Sequence, residues 1–408
     1  MYKKALFLIA CLFLCFSSVS AEKGALDFSS YEWTLINGEA QWSPRAGLQV
    51  VSLRNNFYLM GGRTPRPPSF PPIPGDSDIW GDVWTSSDKG ASWQKILETD
   101  DQQHWPARAY FQAVTKGNYI YVLGGQNFKV EPNNCPPFVP DCPPFVSFSD
   151  FFNDVWRSRD GVRWQQMTEA APWDGRAGLS TVVHKGEIYV MGGSFNDDPA
   201  VIGGPPTRVY FNDVWKSRNG RDWVKLTDSA PWEPRAGAMV VVKDGYIYLL
   251  GGEDGFICLP QPCTPPYFND VWRTRDGANW ELVTAAADWA PRPGHQVVVL
   301  LNHFILFGGF GLDPTDLSKA ANPMDIWASK DGADWVQVSD SPWNAAMPED
   351  IKYDFDALAV EGGRGGQRPS IFTFGGDRET FDFEDPTNYL NVDNDVWRFS
   401  PPLWMSLP

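Results

Sequence analysis

A recurring order of apolar and polar positions divides the chain into short strands. The stretch from Phe211 to Gly252 shows the unit: an apolar run ending in Trp215, a tight polar turn, a run begun by Trp223, a loop, and two apolar runs that close on a glycine pair. Short runs rich in aromatic and β-branched residues, bounded by turn residues, are typical of β-strands. The unit therefore predicts a four-stranded sheet, which needs copies of itself to bury both faces.

Six copies of this unit follow one another along the chain. Each carries a glycine pair, an Asp-hydrophobic-Trp triplet and a loop Trp, and the period is 57 to 68 residues. The glycine pairs begin at Gly61, Gly124, Gly192, Gly251, Gly308 and Gly375, the triplets at Asp82, Asp154, Asp213, Asp270, Asp325 and Asp395, and the loop tryptophans are Trp42, Trp105, Trp173, Trp232, Trp289 and Trp343. The repetition predicts an all-β fold, a six-bladed β-propeller of four-stranded antiparallel blades.

The last copy lacks its fourth strand, and the first residues of the pattern supply one. Trp33 stands nine residues before Trp42, the spacing that separates Trp223 from Trp232. We expect the N-terminal strand to pair in the last blade, because closure removes the free sheet edges that an open array would expose.

The repeats resemble the kelch family of β-propellers, in which a glycine pair ends the second strand and a Trp begins the fourth. The resemblance covers roughly residues 31 to 400. It implies an architecture similar to the central domain of galactose oxidase and to N-acetylneuraminate epimerase. The turn from Ser86 to Trp93 resembles the Asp-box of sialidase-type propellers, whose role is structural. The copper ligands of galactose oxidase and the arginine motif that opens sialidase sequences cannot be placed here.

The first 21 residues read as a signal peptide. Lys3 and Lys4 precede an apolar run from Ala5 to Phe16 and then small residues, which predicts cleavage and a secreted or periplasmic protein. Residues 22–408 then form a single propeller domain, expected to be a monomer with no membrane span. The formal net charge of −16 argues against a nucleic-acid partner.

Four cysteines follow the predicted signal peptide. Cys135 with Cys142, and Cys258 with Cys263, are close enough in sequence to predict two local disulfides in an exported protein, with one shared zinc site as the alternative. No cofactor or metal is predicted, although the acidic stretch from Asp382 to Asp395 could supply oxygen ligands to calcium.

One face of the ring collects the candidate binding residues. Five arginines each lie sixteen residues before a glycine pair, so tight turns bring the first two strands back to a common face. That face holds Arg45, Arg108, Arg176, Arg235 and Arg292, the residues after the glycine pairs (Arg63, Gln126, Ser194, Glu253, Phe310 and Asp377), and long loops rich in Pro, Gly and aromatic residues. Converging guanidinium groups could bind an anion. Pairing of each Arg with a triplet Asp is the structural alternative.

Blade six departs from the pattern. Aligning Ala357–Val360 with residues 239–242 places Tyr353 at the arginine position and Asp356 at the position of His295 in blade five. Together with Glu253, this His and Asp are candidates for general acid-base catalysis, and a salt-bridged patch is the alternative. Tyr353 and Asp377 join the arginines as candidate ligand-binding residues.

These residues predict a binding module whose loop face recognises a glycan, an anionic small molecule or a protein. The alternative is a sugar-acid epimerase or mutarotase similar to N-acetylneuraminate epimerase, in which Arg235 and Arg292 would hold the substrate carboxylate. Whether the protein is an enzyme stays open, because fold does not determine function.

Overall fold

The computed structural model describes residues 27–67, 76–133, 145–197, 207–255, 267–313, 316–320, 323–344, 351–362, 367–380, 385 and 387–402. Six four-stranded antiparallel sheets form the blades of a β-propeller, as the repeats predict. In each blade the first strand lines the central channel and the fourth lies at the rim.

The strands of blades one to three follow the predicted order. Blade one contains β2 (Gln49–Leu53), β3 (Asn56–Met60), β6 (Val83–Ser86) and β7 (Gln94–Leu97). Blade two contains β8 (Gln112–Lys116), β9 (Tyr119–Leu123), β12 (Val155–Ser158) and β13 (Trp164–Thr168). Blade three contains β14 (Ser180–His184), β15 (Glu187–Met191), β18 (Val214–Ser217) and β19 (Trp223–Thr227).

Blades four to six repeat this order. Blade four contains β20 (Met239–Lys243), β21 (Tyr246–Glu253), β22 (Tyr267–Thr274) and β23 (Trp280–Thr284). Blade five contains β24 (His295–Leu300), β25 (His303–Gly308), β28 (Asp325–Ser329) and β29 (Val336–Asp340). Blade six contains β30 (Asp356–Val360), β31 (Ser370–Asp377), β32 (Val392–Ser400) and β1 (Glu32–Asn37).

The ring closes through the N-terminal strand. β1 pairs antiparallel with β32, and Trp33 stands opposite Phe399. The Trp33 ring packs on Phe399, Phe307 and Trp343 at centroid distances of 5.0, 6.1 and 5.2 Å. The prediction of closure by the N-terminal strand in the last blade is confirmed.

The connections between second and third strands are more regular than the sequence predicts. Four carry a two-stranded ribbon: β4 (Arg63–Pro65) with β5 (Ser77–Ile79), β10 (Gln126–Pro132) with β11 (Phe145–Phe151), β16 (Ser194–Asp197) with β17 (Thr207–Tyr210), and β26 (Leu312–Asp313) with β27 (Asp316–Ala320). Within the described residues there are also three short 3-10 helices, Phe28–Ser30, Pro342–Asn344 and Asn388–Leu390. Among the described residues, no helix has the length and apolarity needed to cross a membrane.

The repeat tryptophans pack within and between the blades. In blade two the buried loop Trp105 meets the fourth-strand Trp164 edge to face, with ring centroids 5.8 Å apart. The third-strand Trp156 donates its indole N–H to Asp154, the first residue of its own triplet. In the turn after that strand, the Ser158 hydroxyl accepts from the Gly161 amide. The tryptophans and the Asp-box-like turns therefore serve the fold.

Candidate functional site

Six residues in left-handed backbone conformation surround the channel where the first strands begin. They occupy equivalent positions in the six blades and are Gly47, Tyr110, Gly178, Gly237, Gly294 and Asp354, with φ between 50° and 64°. Backbone hydrogen bonds of 2.9–3.1 Å join five of the six neighbouring pairs around the circle, for example from the Gly47 amide to the Asp354 carbonyl and from the Tyr110 amide to the Gly47 carbonyl. We call this circle the mouth ring.

Two members of the mouth ring are not glycine. Tyr110 and Asp354 hold φ values of 53° and 50°, a conformation that costs a residue with a side chain about 1 kcal/mol or more. Glycine neighbours make room for both. A Cβ on Gly47 would lie 3.1 Å from the Tyr110 ring, and one on Gly294 would lie 2.9 Å from the Asp354 carboxylate. The ring thus accepts local strain at the two positions where it carries polar side chains.

Arg63, which follows the second strand of blade one, links Tyr110 of blade two to blade six. Its Nε donates to the Tyr110 hydroxyl at 2.8 Å, and its Nη2 donates to Asp377 at 2.6 Å. The Tyr110 hydroxyl also interacts with Asp354 and favours the charged form of its carboxyl group. Arg63 and Asp377 both follow glycine pairs, and backbone bridges hold them beside the mouth ring. A continuous polar chain therefore runs from Asp377 through Arg63 and Tyr110 to Asp354.

Carboxylic acids with raised pKa values surround that chain. Burial, reinforced by the charge on Asp377, raises the pKa of Asp354 to about 7. The same two causes raise the pKa of Glu379 to about 7. Burial also raises the pKa of Asp377, against the opposing effects of Arg63 and of a hydrogen bond from Tyr353. We call Arg63, Tyr110, Tyr353, Asp354, Asp377 and Glu379 the mouth cluster. It holds two carboxyl groups poised to exchange protons near neutral pH.

The size of the mouth decides where a ligand could lie. The cavity at the mouth ring has a volume of about 90 Å³, and the channel behind it about 460 Å³. A water molecule occupies about 30 Å³ of liquid, so the constriction accepts a few waters but not a sugar ring. A ligand of that size would rest on the outer side of the ring, among the loops.

The five repeat arginines do not point into the mouth. Each is buried inside its blade and forms a two-pronged ion pair with the triplet Asp, with Nη1–Oδ1 distances of 2.5–2.7 Å. The same Nη1 donates to the carbonyl of the first glycine sixteen residues later. This bond accounts for the constant spacing in the sequence. The structure therefore agrees with the alternative in which each repeat arginine pairs with a triplet Asp. This holds for Arg45, Arg108, Arg176, Arg235 and Arg292.

The alignment of blade six is displaced by one residue. Lys352, not Tyr353, takes the arginine position, because the Gly309 amide donates to the Lys352 carbonyl as the Gly193 amide does to Arg235 in blade four. The Lys352 ammonium pairs with Asp395 at 2.5 Å and with Asp393 at 2.9 Å. The first strand of blade six begins at Asp356, so the apolar run of the sequence starts one position later than the alignment assumes.

His295 and Asp356 therefore do not form a pair. Phe355 is the residue equivalent to His295, and each packs against the first glycine of the preceding blade. His295 is buried and its Nδ1 lies 2.9 Å from the Arg292 carbonyl. Burial and the Arg292 charge lower its pKa to about 3. Such a buried imidazole stays neutral near neutral pH.

Asp356 lines the channel instead. Its carboxylate accepts from the amides of Val50 at 2.5 Å and Ala357 at 2.8 Å, and burial raises its pKa to about 7. Gln49 occupies the equivalent position in blade one and accepts from the Ala113 amide in the same way. Asp356 thus joins the first strands of blades six and one.

The remaining predicted site residues lie around the outer side of the mouth ring. Glu253 bridges Ala236 across the backbone, and its charge contributes to the raised pKa of Tyr267. Tyr353 is buried with Tyr267, Phe310 and Ile351 and contacts the cluster through Asp377. Three of the ligand-binding candidates, Arg63, Tyr353 and Asp377, lie close together in the structure. Glu253 lies apart from them, on blade four.

Three members of the mouth cluster were not predicted. Glu379 follows Asp377 by two residues, and its role depends on burial that no sequence spacing reveals. Tyr110 and Asp354 had a signal: they interrupt the series of Gly47, Gly178, Gly237 and Gly294 after the arginines. In blade six that signal was hidden by the displaced alignment.

Some predictions fall outside the described residues. These are the signal peptide and the two cysteine pairs. Within the described part of the chain, no group of three His, Cys, Asp or Glu side chains is arranged to hold a metal ion. Asp393 and Asp395, at the end of the acidic stretch proposed for calcium, both contact Lys352.

Comparison with known proteins supports the architecture. No family model matches the sequence, and no curated protein matches it. Among solved structures the chain is similar to YjhT, with a TM-score of 0.56, 15% identity, and coverage of 88% of this chain and 95% of that one. At this identity the likeness shows the propeller fold.

Proposed function

We propose that the loop-bearing face binds a neutral or amino sugar, or a similar polyhydroxylated ligand, over the mouth cluster. One observation carries this proposal: two of the six mouth-ring positions accept a strained conformation. One is Tyr110, whose hydroxyl accepts from Arg63, and the other is Asp354, whose carboxyl group is buried and feels the Arg63 charge. Strain of this kind is concentrated at functional sites. A ring built only for stability would have glycine at all six positions.

The charge of the cluster selects the ligand class. Three carboxyl groups surround one guanidinium, and that guanidinium already contacts Asp377 and Tyr110. An acidic ligand would meet repulsion from Asp377 and would have to displace existing contacts. Hydroxyl and amino groups, in contrast, donate to carboxylate oxygens. The glycan part of the prediction therefore has support from the geometry, while the repeat arginines supply none for an anion at this face.

A glycan array that includes neutral, amino and acidic sugars tests the proposal. We expect binding to neutral or amino glycans by the wild type, at least tenfold weaker binding by Tyr110→Phe and Asp354→Asn, and unchanged binding by the control Arg66→Gln. Arg66 is an exposed arginine near the same ribbon that pairs with Asp76 and Asp78. No glycan above background, or equal binding by all four proteins, would refute the proposal.

A second candidate is proton transfer on a bound sugar, as in an epimerase or mutarotase. The observation favouring it is the pair of raised pKa values at Asp354 and Glu379, since efficient acid-base groups have pKa values near the working pH. Proton NMR of freshly dissolved α-glucose would follow anomeric conversion at pH 7. We expect acceleration by the wild type and none by an Asp354→Asn, Glu379→Gln double variant. A wild-type rate equal to the buffer blank excludes this activity and leaves binding alone.

A further inference from the structure

A second cavity lies at the opposite end of the propeller from the mouth. Its volume is about 530 Å³, and its described lining comes from β1, β31 and β32 of blade six and from Lys89 in the last turn of blade one. Arg398, on the third strand, projects into it with Thr34 and Ser370 on the neighbouring strands. This end carries the turns between first and second strands, so the cavity is independent of the mouth cluster.

In blades two and four the equivalent arginine is satisfied by partners within its own blade. In blade two, Arg157 donates to Gln165 at 2.9 Å and lies 4.4 Å from the centroid of the Tyr119 ring. In blade four, Arg273 donates to Glu281 at 2.9 Å and lies 4.6 Å from the Tyr246 ring. The strand registers place these partners on the two neighbouring strands.

Blade six has small residues at both partner positions. β1 places Thr34 opposite Arg398, where blades two and four have Gln and Glu. Ser370 begins the second strand, where those blades have tyrosine. As a result Nε of Arg398 is buried and, within the described residues, has no hydrogen-bond partner. A buried donor without a partner is unfavourable, and a bound acceptor would remove that cost.

The surrounding charges favour an anion. Lys89 and Arg368 line the cavity and are held by contacts to Asn55 and to the Pro402 carbonyl. Glu32, at the start of β1, is the single acidic side chain in the described lining. Three cations against one carboxylate form a positive site on a chain whose formal net charge is −16.

We propose that this cavity binds an oxyanion group, a carboxylate, phosphate or sulfate, with Arg398 as the principal contact. A guanidinium presents a planar fork that matches such groups. The volume exceeds that of one oxyanion, so the group belongs to a larger molecule that also contacts the hydroxyls of Thr34 and Ser370.

Equilibrium dialysis against radiolabelled sulfate, at constant sodium chloride, tests this proposal. We expect one sulfate bound per wild-type chain and at least tenfold weaker binding by Arg398→Gln. The matched control is Arg157→Gln, the equivalent change in blade two, which should bind as the wild type does. Binding that is equal in Arg398→Gln, or absent from the wild type, would overturn the proposal.

A second variant separates lost binding from misfolding. Ser370→Tyr restores the aromatic partner of blades two and four and fills the cavity while Arg398 remains. It should bind sulfate at least tenfold more weakly, with an unfolding temperature at or above that of the wild type, and wild-type binding by this variant would contradict the proposal. Competition with glucuronate and with phosphate then distinguishes a carboxylate ligand from a phosphorylated one.

Discussion

Replacing Asp354 by glycine should stabilise the protein, and more at high pH than at low. Glycine is the residue of four other blades at this position, and it relieves the left-handed strain of about 1 kcal/mol. Loss of the interaction with the Tyr110 hydroxyl costs about the same, so these two effects nearly cancel. What remains is the carboxyl group, whose pKa rises from 3.8 to about 7 on folding.

The pH dependence follows from that shift. Because the folded state holds the proton more tightly, the unfolding free energy of the wild type falls as pH rises from about 4 to about 7. Each unit of pKa shift corresponds to about 1.4 kcal/mol, so the Asp354→Gly advantage should grow by about 2–3 kcal/mol between pH 5 and pH 8. This is an upper value, since the mouth admits some water.

Urea unfolding followed by tryptophan fluorescence at pH 5 and pH 8 measures this difference. Asp354→Asn is the matched control, because asparagine tolerates the left-handed conformation but does not ionise. It should show the same growth with pH. If the stability difference between Asp354→Gly and the wild type is the same at both pH values, the carboxyl group is not buried as described.

Three further changes test other parts of the structure by the same unfolding measurement. Asp356→Asn keeps an acceptor for the Val50 amide and removes a carboxyl group with a raised pKa. It should stabilise the protein at pH 8 by about 1–3 kcal/mol more than at pH 5. An equal effect at the two pH values would contradict the burial of Asp356. Arg235→Ala leaves a buried carboxylate unpaired and should lower the unfolding free energy by about 3–5 kcal/mol. The surface control Arg218→Ala should lower it by less than about 0.5 kcal/mol. Similar losses in the two variants would show that the buried ion pair does not stabilise the fold. The folded pKa of the His295 imidazole is lowered to about 3, so the wild type should lose unfolding free energy as pH falls from about 6.5 toward 3. His295→Leu should remove this loss. If the variant loses as much unfolding free energy in acid as the wild type, His295 is not its cause.

The fold was predictable because its determinants repeat. The glycine pairs, triplets and tryptophans recur in register, and the N-terminal strand supplies the element that the last copy lacks. The arginines repeat equally well, and for that reason they were ambiguous. Five identical spacings are compatible with a ligand site on the axis or with five identical ion pairs. Only coordinates show that each Arg bonds to its own glycine carbonyl and triplet Asp.

The mouth cluster was harder to predict because it depends on departures from the repeat. Blade six lacks the sixteen-residue spacing, since its first two strands are separated by the segment 361–369. The first strand of blade six begins at the polar residue Asp356, one residue before its apolar run. An alignment that starts from the apolar run is therefore displaced by one residue. In a strand such a shift reverses which face each side chain occupies. The shift consequently hides Asp354, although the sequence pattern points to its neighbours Tyr353 and Asp356.

The two proposed sites share a physical origin in the blade that closes the ring. Four equivalent glycines at the mouth and satisfied cations in blades two and four show what the repeat requires for stability. Blade six departs from both rules: Asp354 stands at the mouth, where Tyr110 of blade two is the other exception, and Arg398 at the far end has Thr34 and Ser370 in place of partners. A closing blade assembled from both chain ends can accept such changes without altering the packing of the other five. Departures from a locally consistent pattern are expected at functional sites, and here they lie at opposite ends of one sheet.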